Sequence, residues 1–372
     1  MLEIPDEIVN PPYEVRPLSG GLSNRLLVVN DSVLVRLHSN GESQSPKSEN
    51  SLLDRESENK VSTLLAQRGA GPTIYGRFQN GRLEQFYRNV RPLSHTEMPS
   101  YAKDIAEHMA KLHDMKDLQT SLGNDCLPSM FDRVDGWIGI IEKKMQAKYS
   151  FPIDLYRSFK FEWKMLESSL LLSSTTQDAQ SLPSSNCVEE EVCKFMREIV
   201  FTHMDLQSLN ILKESTTTEG DREKLGKVTL AGNYGDKSCN DDNVSLIKII
   251  DFEYAGMNSR AADIANTFCE YCDMNNLCLK YADFPNESEQ NVFLSNYLSC
   301  SRTACTDITL TEENFDAVLR VMRKEVGRFT LLSHLGWGIW SLLQHLESSI
   351  DFDFVEYSRV RMRGYNYCRE HF

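Results

Sequence analysis

Two short stretches of the chain carry side chains suited to transferring a phosphoryl group. Asp205 is followed five residues later by Asn210, and Asp251 stands at the end of an apolar run. A carboxylate can accept the proton of an attacking hydroxyl group, and a second carboxylate with an amide oxygen can hold Mg²⁺ on nucleotide phosphates. The spacing predicts Asp205 as the catalytic base, with Asn210 and Asp251 as ligands of Mg²⁺ bound to ATP. The role of His203, catalytic or structural, stays open.

The composition narrows the class of protein. At 372 residues the chain is long enough for two lobes, and its net charge of −14 argues against nucleic acid or an anionic membrane as partner. The first residues lack the pattern of a signal peptide, and no apolar run reaches membrane-spanning length. The ten cysteines are scattered, and Cys269-x-x-Cys272 lacks the second pair of a zinc site. These features predict a cytoplasmic protein with reduced thiols and no membrane insertion.

The first part of the chain is predicted to be rich in β-strands. The expected elements are strands within 13–38, a helix over 54–68, and strands over 74–78 and 82–86. The last two strands flank Asn80-Gly81, a strong signal for a hairpin turn. The polar segment 39–51 is predicted to be a loop. Together these elements make a small lobe, which we assign to residues 1–88.

The rest of the chain has mainly helical periodicity. Helices are predicted to start at 101 and to cover 131–148, 155–172, 192–199 and 315–347. One strand is expected over 246–250, and the polar segments 173–185 and 225–244 are predicted to be connections. We assign residues 89–372 to a second, mostly helical lobe. The predicted fold class is therefore α+β, with two lobes of different composition.

Five motifs, taken in order, resemble those of one known family. They are His203-x-Asp205-x-x-x-x-Asn210 and the segments 20–24, 81–86, 251–268 and 337–340. They are spread over most of the chain, and they resemble the choline/ethanolamine kinase family, within the kinase-like small-molecule phosphotransferases. The resemblance implies a bilobal protein-kinase-like fold and ATP-dependent phosphorylation of choline to phosphocholine, the first step of phosphatidylcholine synthesis. It is also compatible with a homodimer.

The residues predicted to bind ATP come mostly from the first lobe. The turn 20–24 stands between two strands, where backbone N–H groups can approach phosphate. The resemblance implies that Arg36 binds phosphate oxygens, with Glu58 as its ion-pair partner and Glu56 as the alternative. The segment 85–87 follows the last strand of the lobe and is predicted to meet adenine. The full set, in which Gln207 rests on the resemblance, is Gly20, Gly21, Leu22, Ser23, Asn24, Arg36, Glu58, Gln85, Phe86, Tyr87, Arg91, Gln207 and Asp251.

Aromatic residues of the second lobe suggest a cationic alcohol as the acceptor. A quaternary ammonium has no N–H to donate, so proteins hold it against aromatic faces with the help of a carboxylate. Trp337 and Trp340 are three residues apart and share one face of a predicted helix. The resemblance implies that the substrate contacts Asp205, Tyr254, Glu270, Trp337, Trp340, Phe352, Phe354 and Tyr357, with Glu270 facing the cation. Ordinary core packing is the alternative explanation for these aromatic residues.

Several other activities stay open at this point. The segment 271–275 lacks a further tyrosine that choline kinases tend to have, and 350–354 also favours an ethanolamine kinase or an enzyme of dual activity. The segments 81–86 and 105–110 favour choline. A kinase for another alcohol, such as an aminoglycoside, would share the nucleotide side but would not need the tryptophan pair. A nucleotide-binding pseudoenzyme that scaffolds partners is disfavoured, because the residues predicted for catalysis are all present.

Overall fold

The structure is a computed structural model that describes residues 11–18, 24–38, 55–122, 127–147, 150–175, 187–215, 246–277 and 280–371. The predicted phosphate-loop residues Gly20, Gly21, Leu22 and Ser23, and the predicted loops 39–51 and 225–244, lie outside these ranges. Contacts divide the chain into two units. The first contains the residues up to Leu93 and Leu209–Glu253, and the second contains Ser94–Ser208 and Tyr254–Phe372.

The first unit contains an antiparallel sheet of five described strands. They are β1 (Val15–Leu18), β2 (Asn24–Val29), β3 (Val33–His38), β4 (Ile74–Phe78) and β5 (Gly81–Gln85). The order across the sheet is β1-β2-β3-β5-β4, so β3 is the central strand. Helix α1 (Arg55–Gln67) contributes the buried Val61 and Leu65 to the core of this unit.

Gly81, at the start of β5, allows an unusually close approach of two strands. A Cβ atom at this position would lie 2.2 Å from the carbonyl oxygen of Arg36, which no larger residue could tolerate without a backbone shift. The pairing sets Arg36 opposite Arg82 in the register of β3 and β5. The predicted Asn80-Gly81 hairpin is confirmed, with its second strand one residue earlier than expected.

A second sheet explains why the first unit is not continuous in sequence. Strand β8 (Ile211–Glu214) pairs with β6 (Val90–Pro92) on one side and β9 (Ile247–Ile249) on the other. These main-chain hydrogen bonds join 209–253 to the residues before Leu93. The contact-based division therefore differs from the predicted lobes 1–88 and 89–372, because strand pairing over this distance leaves no local signal.

The second unit is built mainly from helices. In chain order they are α2 (Ala102–His113), α3 (Lys116–Leu122), α4 (Met130–Lys144), α5 (Ile153–Thr175), α6 (Cys187–Arg197), α7 (Arg260–Glu270), α8 (Glu287–Cys300), α9 (Ala304–Asp307), α10 (Phe315–Glu347) and α11 (Phe354–His371). Short 3-10 helices cover His95–Tyr101, Met145–Ala147, Ser208–Asn210, Met274–Asn276 and Tyr281–Asp283. The two-stranded sheet of β7 (Ile199–Thr202) and β10 (Gly256–Ser259) completes the unit.

Helix α10 is the central element of this unit. It contacts α4, α5, α6, α7, α8 and α11, and its buried face runs almost without interruption from Val318 to Leu343. Gly338 lets Phe159 of α5 approach the helix, since a Cβ there would lie 2.2 Å from the Phe159 ring. From Leu332 to Leu343 every residue of the helix is buried, so this part of it contacts other elements on all sides. This packing fixes Trp337 and Trp340 in place.

Most of the predicted helices are found, with end points that shift by a few residues. The prediction for 315–347 is confirmed at both ends, and the helices at 54–68, 131–148 and 155–172 are confirmed with shifted ends. The predicted helix 192–199 is wrong at its end, because Ile199 starts β7 and pairs with Ser259. Its β-branched and aromatic neighbours favour a strand once a partner strand is available. Helices α8 and α11 were not assigned from the sequence.

No helix among the described ranges is long and apolar enough to cross a lipid bilayer.

Candidate active site

The first unit places Arg36 between two carboxylates. Its Nε and Nη2 lie 3.1 Å from Glu84 Oε1, and its Nη1 lies 3.4 Å from each carboxylate oxygen of Asp251. Burial opposes the charge of the guanidinium, but Asp251 and then Glu84 outweigh it, so the pKa of Arg36 is raised. Arg36 is therefore held as a cation beside the predicted magnesium ligand.

The predicted pairing of Arg36 with Glu58 is wrong. Glu58 of α1 instead accepts a hydrogen bond from Nη1 of Arg82 at 2.7 Å, and Arg82 Nε donates to Glu84 at 2.7 Å. The four side chains are at most 5% exposed, so they form one buried chain of alternating charges. The reason is the β3–β5 register, in which Arg36 stands opposite Arg82, so that Glu84, two residues further along β5, lies on the same face of the sheet as Arg36. Alternating pairs are what makes buried charge tolerable.

Asn210 and Asp251 lie next to each other in the first unit. The carbonyl oxygen of Asn210 accepts the N–H of Ile250 at 3.0 Å. Because Ile250 directly precedes Asp251, this hydrogen bond holds the two predicted metal ligands close together. Asp251 follows β9 and has φ of +66°, a strained value for a residue other than glycine. An amide oxygen and a partly exposed carboxylate are the hard donors that Mg²⁺ prefers, so these residues fit that ion.

The predicted adenine segment has its own internal contacts. Gln85 accepts hydrogen bonds from the N–H and hydroxyl of Thr73, both at 3.3 Å, and Phe86 donates its N–H to Ser32. Burial raises the pKa of Tyr87 to about 12, with Glu84 adding to the shift. These contacts anchor the segment to the sheet. Asn24 is the first residue of β2, and Arg91 is an exposed residue of β6 that donates to the Pro92 carbonyl at 2.9 Å.

In the second unit, a buried carboxylate holds the loop that carries Asp205. Asp263 of α7 accepts the N–H of His203 at 2.8 Å and that of Met204 at 2.7 Å. Met204 has φ of +61°, which costs a non-glycine residue about 1–3 kcal/mol, and the two hydrogen bonds offset that strain. Nδ1 of His203 accepts the N–H of Asp205 at 3.2 Å, a structural contact. Gln207 Nε2 lies 3.5 Å from both oxygens of Asp205.

Asp263 is itself held by a buried histidine. Nε2 of His113 lies 3.0 Å from Asp263, and its Nδ1 lies 2.7 Å from the hydroxyl of Tyr297. Burial lowers the pKa of His113 despite the nearby carboxylate, whereas His113 and the backbone donors lower the pKa of Asp263 against burial. The contact is therefore a hydrogen bond from a neutral imidazole to a carboxylate. This assigns the proton to Nε2, with Nδ1 accepting from Tyr297.

The predicted substrate-binding aromatic residues form one cluster in the second unit. The Tyr254 ring lies 4.9 Å from Trp337 and 6.4 Å from Trp340, and the two indoles are 5.5 Å apart at 79°. Phe354 and Tyr357 of α11 extend the cluster, at 6.0 Å and 6.5 Å from Trp340. The half-buried Phe352 lies 5.0 Å from Phe354, and Trp137 lies 6.4 Å from both Tyr254 and Trp337. The structure thus brings the aromatic part of the predicted set together.

Hydrogen bonds fix the orientation of the two indoles. Trp340 Nε1 donates to the hydroxyl of Tyr254 at 2.8 Å, and Trp337 Nε1 donates to Oδ1 of Asn266 at 2.7 Å. Burial raises the pKa of the Tyr357 hydroxyl, Arg361 opposes this, and the charges of Glu270 and Asp205 add to it. The predicted base thus acts electrostatically on the aromatic cluster, within the same unit.

Comparison with known proteins identifies the family of this chain. A family model for choline/ethanolamine kinase matches residues 15–366. Choline kinase alpha of Mus musculus is 30% identical over 387 residues, covering 95% of this chain and 75% of that protein. The chain belongs to the choline/ethanolamine kinase family.

Solved structures of this family support the fold. The crystal structure of a choline kinase from Cryptosporidium parvum has a TM-score of 0.69 at 25% identity, with 96% of this chain and 89% of that chain covered. A Plasmodium vivax ethanolamine kinase has a TM-score of 0.65 at 25% identity, with 100% and 87% covered. The predicted protein-kinase-like fold is confirmed, and membership of the kinase family makes the chain a phosphotransferase.

Several residues of the candidate site are not among those predicted from the sequence, although Arg82 and Glu84 lie within the 81–86 motif. Arg361 of α11 donates to Glu270, and Arg82 and Glu84 complete the pairing of Arg36. Asp263 and Asn266 lie within the 251–268 motif, but their roles depend on which backbone and indole N–H groups reach them. The family motif could have flagged these two positions. Arg361 stands outside all the motifs.

Proposed function

We propose that this protein transfers the γ-phosphoryl group of ATP to choline and so forms phosphocholine. The observation that carries the proposal is the cluster of Tyr254, Trp337, Trp340 and Tyr357, whose neighbouring ring centres lie 4.9 to 6.5 Å apart in the unit that also contains Asp205. The negative face of an aromatic ring attracts a quaternary ammonium, and this attraction requires no N–H donor on the cation. A base near such a cluster can act on the hydroxyl end of the same small molecule.

The chain's own residues divide the chemistry between them. Asp205 accepts the proton of the choline hydroxyl as it attacks phosphorus, which is general-base catalysis. Arg36, kept charged by Glu84, offers its planar guanidinium to phosphate oxygens. Asn210 and Asp251 would hold Mg²⁺, which would supply positive charge to the nucleotide phosphates. The two hydrogen bonds to Asp263 keep the Asp205 loop in a single conformation.

Ethanolamine is the second candidate acceptor. One of the similar solved structures is an ethanolamine kinase, and the segment 271–275 lacks the additional tyrosine expected of a choline kinase. A primary ammonium brings three N–H donors and is better served by oxygen acceptors than by rings. Activity on both alcohols would follow if the cluster offers both kinds of contact.

The test is ADP release from ATP by the purified protein, with choline and ethanolamine titrated separately, in the presence and absence of Mg²⁺. We expect Mg²⁺-dependent turnover with a higher kcat/KM for choline. A higher value for ethanolamine would reassign the acceptor while leaving the roles of Asp205 and Asp251 in place. No turnover with either alcohol would overturn the proposal and favour another acceptor or a nucleotide-binding scaffold.

We also propose a location and an oligomeric state for the protein. A cytoplasmic homodimer agrees with the acidic composition and with the family. Light scattering of the purified protein would give twice the chain mass for a homodimer and the chain mass for a monomer.

A further inference from the structure

A buried arginine lies beside the predicted cation-binding carboxylate. Arg361 of α11 is 1% exposed and Glu270 is 6% exposed. Nη2 of Arg361 donates to Oε1 of Glu270 at 2.6 Å, a short distance typical of a charge-assisted hydrogen bond. The charge of Glu270 is therefore already balanced by the protein before any substrate cation arrives.

Arg361 also occupies a hydrogen-bond acceptor on the aromatic cluster. Its Nε and Nη2 donate to the hydroxyl oxygen of Tyr357 at 3.0 and 2.6 Å. Its guanidinium carbon lies 5.1 Å from the centre of the Tyr357 ring. A hydroxyl oxygen has two lone pairs, so two incoming N–H groups use its accepting capacity. Tyr357 can therefore contact a bound cation through the face of its ring but not by accepting a further hydrogen bond.

Other oxygen acceptors of the cluster also receive internal hydrogen bonds. The Tyr254 hydroxyl accepts the N–H of Trp340, and Asn266 Oδ1 accepts both the N–H of Trp337 and the hydroxyl of Ser333. Internal donors thus satisfy the oxygen acceptors around the rings. What the cluster offers to a ligand is mostly aromatic surface.

We propose that Arg361 is a specificity-determining residue, which favours a quaternary over a primary ammonium by neutralising Glu270 and by occupying the Tyr357 oxygen. The inference rests on the proposed function and adds the reason for its acceptor preference. A quaternary ammonium has no N–H group, so it loses no hydrogen bond when the oxygen acceptors are taken, whereas a primary ammonium would leave N–H donors unpaired in a buried site. An unpaired buried donor loses its hydrogen bonds to water without replacement, so the site selects against the primary ammonium.

The experiment compares kcat/KM for choline and for ethanolamine in wild type and in Arg361→Met. Removing the guanidinium frees the carboxylate and the Tyr357 oxygen as acceptors. We expect the choline-to-ethanolamine ratio to fall by about tenfold or more, through a better KM for ethanolamine, with the ATP KM unchanged. Arg363→Met, an exposed arginine of the same helix that pairs with Glu356, is the matched control and should keep the wild-type ratio.

Two further variants keep the test decisive if the buried charge left by Arg361→Met impairs folding. Arg361→Lys retains the positive charge but has fewer donors in a different geometry, and the ratio should fall in the same direction by about threefold. The double variant Glu270→Gln/Arg361→Met removes both charges of the pair but leaves the Tyr357 oxygen free, so its ratio should fall less than that of Arg361→Met. A folded Arg361→Lys or Arg361→Met protein with an unchanged or increased ratio would overturn the inference.

The outcome separates this inference from the proposed function. If wild type turns over neither alcohol, the proposed function itself fails. If wild type turns over choline and the ratio is insensitive to Arg361, only the role of Arg361 fails.

Discussion

The guanidinium of Arg36 lies 3.4 Å from both carboxylate oxygens of Asp251, although the two residues are 215 positions apart in the chain. The cation proposed to meet phosphate and the anion proposed to meet magnesium thus pair with each other. Asp251 also sits at a strained backbone angle, which persists only where surrounding contacts enforce it. The residue proposed to bind the phosphates of ATP therefore contacts the residue proposed to bind Mg²⁺.

Replacing Arg36 should therefore affect ATP and Mg²⁺ together. In Arg36→Met the phosphates lose a two-pronged donor and Asp251 loses its partner, so we expect the ATP KM to rise by about tenfold or more. The Mg²⁺ concentration for half-maximal rate should change as well, while the choline KM stays constant. Steady-state kinetics with each ligand varied in turn would check this. A change confined to the choline KM would contradict the assignment of Arg36 to the nucleotide side.

Replacing Arg82 should lower the stability of the folded protein, although no role in binding substrate is proposed for it. It bridges Glu58 and Glu84, and all three side chains are almost fully buried. Arg82→Leu would leave both carboxylates without that partner, and breaking a buried pair typically costs about 3–5 kcal/mol. Urea denaturation should show this loss. The control is Arg16→Leu, which removes an exposed pair with Asp31 and should cost about 0–1 kcal/mol. Equal effects of the two variants would argue against a buried network.

The base assignment predicts a selective loss of turnover in Asp205→Asn. The amide keeps the shape of the side chain but cannot accept the hydroxyl proton, so kcat should fall by about 10²–10⁴-fold. Nucleotide affinity, followed by calorimetric titration with ADP, should stay near that of wild type. Because the loop is held by bonds from His203 and Met204 to Asp263, thermal stability should be retained. Turnover close to that of wild type would remove Asp205 from the base role.

If the aromatic cluster binds choline, replacing Trp340 should raise the KM for choline. Trp340→Phe keeps an aromatic face but loses the N–H to Tyr254, so we expect a few-fold rise in choline KM, about threefold. Trp340→Ala should raise it much further, with little change for ATP. Trp163→Phe is the control, since that buried tryptophan belongs to α5 and donates to Asp135. If both tryptophans affect choline and ATP equally, the cluster is ordinary core.

The lowered pKa of His113 predicts that the free energy of unfolding decreases as the pH falls. Burial lowers its pKa in the folded protein, whereas the unfolded chain takes up a proton near pH 6.5. Below that pH the unfolded state binds the extra proton, so the free energy of unfolding falls with acidification by up to about 1.4 kcal/mol per pH unit. His113 faces Tyr297 and Asp263, with Arg260 and Asp114 nearby.

Thermal unfolding in buffers from about pH 7.5 to about pH 5 would measure how the free energy of unfolding changes with pH. His113→Gln should flatten the curve in this window, where the depressed pKa of Asp263 does not yet contribute. The exposed His371→Gln serves as the control variant. Identical curves for wild type and His113→Gln would show that His113 does not set the slope.

Local pattern was enough for most of the elements and for the choice of chemistry. Hydrophobic periodicity predicted the helix 315–347 at both ends, and the turn pair Asn80-Gly81 predicted the hairpin. The spacing of Asp205, Asn210 and Asp251 indicated phosphoryl transfer, because those residue types serve few other purposes together. Each of these features depends on residues close to one another in the chain.

The partners of the charged side chains were decided by tertiary structure. Glu84, and not the helix residue Glu58, holds Arg36 because strand register sets which side chains face each other. Arg361 reaches Glu270 across 91 positions, a contact created by the packing of α11. By itself, the sequence determined which functional groups are available. Which groups neutralise each other in the low-dielectric interior, and which are left for substrates, depended on the packing of elements distant in sequence.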